Sequence, residues 1–414
     1  MSKLMGHADP SEDAAHDRFA AELLDALLAM DVVVEARYVP ESFRIDYRRK
    51  DMDTLGQLNL ALTYDECEGV SAQQRAHTIG RIASLAETPP PPDDWAGIRP
   101  LLRPVLRQIT LREEQPDKPL LARPAMPLLA ELVVIDQRST MRFVGAGEPE
   151  KWGVTEEEIF AAARENLAET AFALAERGKP AVGPATLRLI DRGSDYYTSM
   201  LLLPGWLDAM RRVVGGRPVA FAYKHWGLLL VGLPPGGSLP ASLLTMIADE
   251  FEDGHRRISP LPYTVDGAGE VCTFVAARDD PAYVAQSHAR MLLESDVYGT
   301  QAVRLREQYE RDGEDVHVPT LLYGFARADG RVFTVADWTQ EGYVPSLLPD
   351  ADYVRVRVGV PAEVRLVPFQ AAVEILGLTP EPDLYPPRYR ARAYDTLPGK
   401  TRGLLHVAAL QTRI

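Results

Sequence analysis

Leu128-Leu-Ala-Glu-Leu-Val-Val-Ile-Asp136, Gln137-Arg-Ser139, Met141-Arg-Phe-Val144, Gly145-Ala-Gly147 and Lys151-Trp-Gly-Val-Thr-Glu-Glu-Glu-Ile-Phe160 form the stretch on which the fold turns. Two apolar runs separated by three polar residues predict strands over 130–136 and 140–145 joined by a tight connection. Thr155 is the predicted N-cap of the following helix. Glu158 completes a capping box with it, and Val154 and Ile159 are placed as a hydrophobic staple. Helical spacing continues through Phe160, Ala163, Leu167, Ala171 and Leu174 as far as Gly178-Lys-Pro180.

Working outward, 11–30 predicts an amphipathic helix capped by Ser11, with Phe19, Leu23, Leu24, Leu27 and Met30 on one face. Strands are expected over 32–39 and 42–48. Ser71 and Gln74 open a second capped helix, which stops at Thr88-Pro-Pro-Pro-Pro-Asp-Asp94. An extended segment over 104–111 and a polar loop over 115–123 lead into the central stretch. Beyond it, strands are predicted over 187–190 and 197–203, a short helix over 206–213 and a hairpin from 219–223 to 228–231. A helix starts at Pro240, and a strand covers 271–276. Asp280 with Pro281 opens a further helix. Asp329-Gly330 turns a hairpin between 320–325 and 332–335, and 354–360 and 369–376 read as strand and helix.

The order helix, two or three antiparallel strands, helix recurs near residues 11, 155 and 281. This predicts an α+β fold of antiparallel sheets with packed amphipathic helices, in two or three successive modules: 1–115, 116–259 and 260–414. Short turns in place of helical crossovers argue against a doubly wound nucleotide fold.

With 414 residues and 46% hydrophobic content, the chain can build more than one core. It carries no apolar run of membrane-spanning length and no secretory signal at its start. Cys67 and Cys272 are too few for a disulfide framework or a four-cysteine metal site, so a reducing cytoplasm is expected. A net charge of −14 repels nucleic acid and anionic membrane. The segment from Tyr353 onward is the exception, with nine Lys and Arg against five Asp and Glu.

Catalytic motifs fail on inspection. Gly145-Ala-Gly147 and Gly267-Ala-Gly269 start dinucleotide fingerprints, but Glu150 and Cys272 stand where a third glycine is needed, and turns are the better reading. Gly236-Gly-Ser238 ahead of Pro240 is an ordinary loop or an anion-facing helix start. His255, behind Asp249, Glu250, Glu252 and Asp253, reads as a solvated helix end in preference to a cation site. Ser199 has no histidine placed nearby as a base, so Asp195 to Ser199 reads as a polar strand entry. Neither metal nor cofactor is expected. The residues that a dispersed site would draw on are Arg103, Arg107, Asp195, Lys224 and His225. For Arg103 and Arg107, as for Arg99, the ordinary alternative is to snorkel across an exposed face or pair with the protein's own carboxylates. Arg388, Arg390 and Arg392, alternating with Tyr389, form an arginine ladder on a predicted edge strand, with RNA contact as the alternative.

Leu58-Asn-Leu-Ala-Leu62, Arg99-Pro-Leu-Leu-Arg-Pro-Val-Leu-Arg107, Ile135-Asp136, Met141-Arg-Phe-Val144, Trp152-Gly-Val-Thr-Glu-Glu-Glu158, Glu165-Asn-Leu167 and Tyr197-Thr-Ser-Met-Leu-Leu-Leu203 occur in one order. As an ordered set they resemble the YtpQ-like family of bacterial proteins of unknown function, over about residues 15–235. The resemblance implies no catalytic residues. The chain extends past the family-like core from about Pro260. The expectation that follows is a non-catalytic binding, adaptor or chaperone-like protein with a protein partner. The alternative is an enzyme with a dispersed site for a small anionic substrate, and the third reading is RNA binding through the basic end.

Overall fold

Phe19, Leu23 and Leu27 recur at helical spacing along α1 (Pro10–Leu28) and are fully buried. In the computed structural model, residues 10–40, 43–50, 55–60, 63–64, 67, 70–88, 91–113, 119–137, 141–191, 196–254, 256–326, 330–338, 343–358, 363–382 and 384–411 are described. The chain divides into one unit of Met1–Leu101 with Ile135–Arg142 and another of Leu102–Val134 with Phe143–Ile414.

In the first unit, β1 (Val33–Val39), β2 (Arg44–Arg49) and β3 (Leu55–Asn59) form an antiparallel sheet in that order. Ile45 packs with the α1 residues and with Ile79 and Ala83 of α2 (Ala72–Ala83). Ser71 and Gln74 make the reciprocal capping box that the sequence predicts. α1 already includes Pro10, one residue ahead of the expected cap Ser11. The buried Arg49 donates to the carbonyls of Ala86 (2.6 Å) and Thr88, so its guanidinium is not left unpaired.

β4 (Leu102–Gln108), β5 (Ala122–Met126), β6 (Leu129–Asp136) and β7 (Met141–Phe143) form the next sheet, ordered β4-β6-β5 with β7 on β6. α3 (Glu156–Arg177) has its predicted box: Glu158 N donates to Thr155 Oγ1 at 3.2 Å and Thr155 N to Glu158 Oε2 at 2.8 Å. Such a cap contributes about 1 kcal/mol. Glu131 is fully buried in β6, where Arg164 of α3 grips both its oxygens (2.8 and 2.6 Å) and Arg123 adds a third bond at 2.8 Å. A carboxylate is tolerated there because it is paired twice.

β8 (Thr186–Ile190), β9 (Arg217–Lys224), β10 (Gly227–Leu233), β11 (Pro262–Val265) and β12 (Val271–Thr273) build an antiparallel sheet ordered β12-β11-β9-β10-β8. The period of two divides β9 and β10 between two cores. Ala220, Ala222, Leu228 and Leu230 meet Trp206, while Phe221, Leu229 and Val231 meet Leu244 and Ile247 of α4 (Ala241–Glu252). This two-sided burial explains why β10 is apolar throughout. Gly232 is required because a Cβ there would lie 1.9 Å from the carbonyl oxygen of Val214.

α5 (Ala282–Asp312) follows, 31 residues long and ended by Gly313 at φ 71°. Beyond it, β13 (Leu321–Phe325), β14 (Val332–Asp337), β16 (Tyr353–Val358) and β17 (Glu363–Pro368) form a sheet, and β15 (Ser346–Pro349) pairs with β18 (Arg388–Ala391). The β14–β16 pairing is parallel; the other two neighbouring pairs, β13–β14 and β16–β17, are antiparallel. α6 (Phe369–Leu376) and α7 (Gly399–Gln411) complete a core that includes Trp338, Val354, Phe369 and Leu405. The fold is α+β, as the sequence predicts.

The sequence misassigns 197–203. The chain turns at Tyr196 (φ 53°) into a 3-10 helix over Tyr197–Leu202, with Ser199 N bonded to Tyr196 O at 2.9 Å. Met200, Leu201 and Leu202 are all buried, and an apolar run of that length carries no period to separate strand from helix. Among the described residues no helix is long and apolar enough to cross a membrane.

Candidate functional site

Asp280 starts α5 by accepting from Ala282 N at 2.8 Å. Along the helix, Tyr283, Gln286, Ser287, Arg290, Glu294 and Tyr298 recur at spacings of one, three and four residues, which places them on one stripe. They line one side of a cleft of about 650 Å³. The other side comes from Thr273 and Val275, from Asp350-Ala351-Asp352 and from Tyr385-Pro386-Pro387.

Most polar groups of the stripe are occupied. Gln286 accepts from Ala276 N at 2.8 Å and donates to Phe274 O, fastening the strand end to the helix. Ser287 Oγ accepts from Val332 N at 3.0 Å. Tyr298 donates its hydroxyl to Pro387 O at 3.1 Å. Arg290 bridges Glu294 (3.1 Å) and Asp352 (2.7 Å), and Asp352 also accepts from Thr334 N at 2.8 Å.

Glu294 differs. Its Oε2 is buried and has no hydrogen-bond partner among the described residues. Burial pushes the carboxyl up to about 7, with Asp352 and Asp350 adding to the rise and Arg290 opposing it. Asp350 is raised as well, through burial and then the charge of Asp352. Near neutral pH Glu294 therefore populates both forms, the protonated one able to donate and the ionised one able to accept. Leaving such an oxygen buried and unmet costs about 1–3 kcal/mol.

The sequence candidates lie elsewhere. Arg107 of β4, His225 in the β9–β10 turn and Arg256 are close enough that the two guanidinium charges reinforce burial in holding His225 down to about 4. Arg107 is itself lowered to about 10, by burial and then by Arg256. Arg256 Nη1 lies 3.3 Å from His225 Nε2. Lys224 is committed to Glu250, and Arg103 donates to Leu102 O at 2.7 Å. Asp195 and His255 lie outside the described residues. Of the five candidates, Arg107 and His225 come together, and Arg256 is the partner that the sequence reading missed.

Three further expectations are settled by geometry. Ser199 is buried and its Oγ accepts from Leu106 N at 3.2 Å, a structural role. Gly267-Ala-Gly269 is a turn between β11 and β12, where Asp266 Oδ1 accepts from Ala268 N and Glu270 N (2.8 and 2.9 Å). The arginine ladder is a correction. Arg388 is fully buried, donating to Gln301 Oε1 (2.6 Å), Pro319 O and Leu347 O (both 2.9 Å) and Tyr298 O (3.0 Å). Arg390 is held by Glu381 (3.0 Å) and the Tyr309 hydroxyl (2.9 Å), and only Arg392 is exposed. β15 pairs with β18, so a ladder expected on an open edge is absorbed by packing.

The polar stripe of α5 was readable in principle. Gln286, Ser287, Arg290, Glu294, Tyr298 and Gln301 share one face, a signal that resembles a solvated helix surface until the segments folding over it are known. Comparison with protein-family models, curated proteins and solved structures finds no match for the chain.

Proposed function

We propose that the chain binds a small polar molecule in the α5 cleft and that Glu294 exchanges a proton with it. The observation that carries this reading is the buried Glu294 Oε2 without a partner, in a cleft of a size suited to a small ligand. A ligand amine or hydroxyl meets the chemistry of that oxygen, while Asp350 and Asp352 favour a donor-rich group and Arg290 fixes the carboxyl in place. Glu294 is the general acid–base in this reading, and Arg290 and Asp352 are its positioning residues. α5 begins beyond the region of YtpQ-like resemblance, so that proposed kinship lends the cleft no function.

The test is thermal unfolding with a panel of primary amines, amino sugars and polyols. At least one class is expected to raise the unfolding temperature of the wild type and not of Glu294→Gln. A panel without effect on either protein would sink the reading. The adaptor reading has one observation in its favour: β13 lies at the edge of its sheet with Tyr323 and Phe325 exposed by 58% and 64%. An added strand from a partner would cover both rings.

A further inference from the structure

Two acidic side chains meet on one arginine in the α5 cleft. Arg290 Nη1 donates to Glu294 Oε1 at 3.1 Å and Nη2 to Asp352 Oδ2 at 2.7 Å, and both acids line the cleft together with Asp350. Arg290 and Arg331 are the cations of that lining, so its carboxylates outnumber them by three to two. The donors beside the acids are already spent on the protein. Ser287 Oγ gives to Val284 O at 2.7 Å, Gln286 Nε2 to Phe274 O and the Tyr298 hydroxyl to Pro387 O. Acceptor capacity is what remains, and its clearest case is Glu294 Oε2, buried and without a partner among the described residues. Every hydroxyl of a polyol brings lone pairs as well as a proton. An ammonium ion brings donors only, together with the charge that the acids attract. The cation that fits is organic, because Leu128, Val275, Leu293, Tyr283 and Tyr385 line the same cleft. Among the described residues no three His, Cys, Asp or Glu side chains gather to hold a metal ion.

Resting on the ligand reading of this cleft, we propose that its ligand is an organic ammonium ion and that entry of the ion expels the Glu294 proton to solvent. The ammonium donates to Glu294 Oε2, and Asp350 and Asp352 lend their charge. The exchange balances: a carboxylic acid and an ammonium ion become a carboxylate–ammonium pair and one proton released to water. The titratable groups that act with Glu294 are Arg290 and Tyr298 of α5 and Asp350 and Asp352, with Tyr283, Arg331 and Tyr385 in the same lining. Burial keeps the proton on Glu294 up to about 7, so below that pH the proton competes with the cation. Affinity therefore rises with pH and levels off above it.

The experiment is calorimetric titration of the full chain with matched probes: butylamine and butanol, cyclohexylamine and cyclohexanol, diaminobutane and butanediol. Alkylamines stay charged through neutral pH, so the protein supplies any titration that is seen. At least one amine is expected to bind saturably near pH 8, at least about tenfold more tightly than its alcohol. Its affinity should fall about tenfold per pH unit below about 7, and buffers of different ionisation enthalpy should show about one proton released per ligand near pH 6. Glu294→Gln has no such proton to release, so its amine binding is expected to weaken at least about tenfold and to lose its pH dependence. The proton count on the wild type stands whether or not that variant folds. Alcohols that bind as tightly as their amines would overturn the ammonium assignment and leave the small-ligand reading in place. An amine affinity indifferent to pH, or one unchanged in Glu294→Gln, would overturn the expulsion of the proton. Absence of saturable binding by every probe would overturn both the assignment and the reading beneath it.

Discussion

Helix α5 carries Glu294 in its first half and holds Arg388 against its second, and the two buried side chains are satisfied to different degrees. Around Arg388, four carbonyl-type oxygens from Gln301, Pro319, Leu347 and Tyr298 take up the guanidinium donors. Around Glu294, Arg290 takes one oxygen and the other is left without a partner among the described residues. The satisfied group ties β18, β15 and α5 together. The unsatisfied one lines the cleft. Completed hydrogen bonding suits a structural group, and in the proposed function the incomplete set is met by a bound ligand.

The largest effect should come from removing the satisfied group. Arg388→Met removes the donor to Gln301 Oε1, Pro319 O, Leu347 O and Tyr298 O and is expected to cost about 3–5 kcal/mol in urea unfolding. A loss below about 1 kcal/mol would break the contrast. Next comes Glu294→Gln, with the opposite sign. Below the ordinary carboxyl value of 4.5 the group is protonated in both folded and unfolded chains and contributes nothing. Between there and about 7 the unfolded chain ionises while the folded one keeps its proton, so stability falls as pH rises. The variant should therefore be more stable than wild type by about 3 kcal/mol near pH 8 and indistinguishable near pH 4. A variant less stable at both pH values would place Glu294 with Arg388 as a structural group.

Gln301→Leu strands Arg388 Nε and Pro386 O together, and a loss of about 1–3 kcal/mol is expected by denaturant titration. The smallest change is Tyr298→Phe, which removes one hydroxyl bond to Pro387 O and should cost about 1 kcal/mol.

What the sequence made legible was local. The Thr155–Glu158 and Ser71–Gln74 boxes are set by neighbours three residues apart, and both form. The antiparallel pairs β9–β10 and β13–β14 form as the sequence predicts, while Asp329 of the predicted turn lies outside the described residues. Arg388 was misread because a period of two says which side of a strand a residue occupies but not what will pack there. Glu294 was missed for the same reason: Asp350, Asp352 and Tyr385 reach it through tertiary folding. Arg107 and His225 were picked out as cationic or polar residues in turns and strands. Arg256, at φ 55°, joins them through a loop conformation that local text does not announce.

The central claim is tested most directly by carbon-13 NMR titration of the glutamate side-chain carboxyls, with the Glu294 signal assigned by its loss in Glu294→Gln. A midpoint near 7, moved by a ligand that stabilises the fold, is the predicted result. A midpoint near the ordinary 4.5, unmoved by any such ligand, would contradict it.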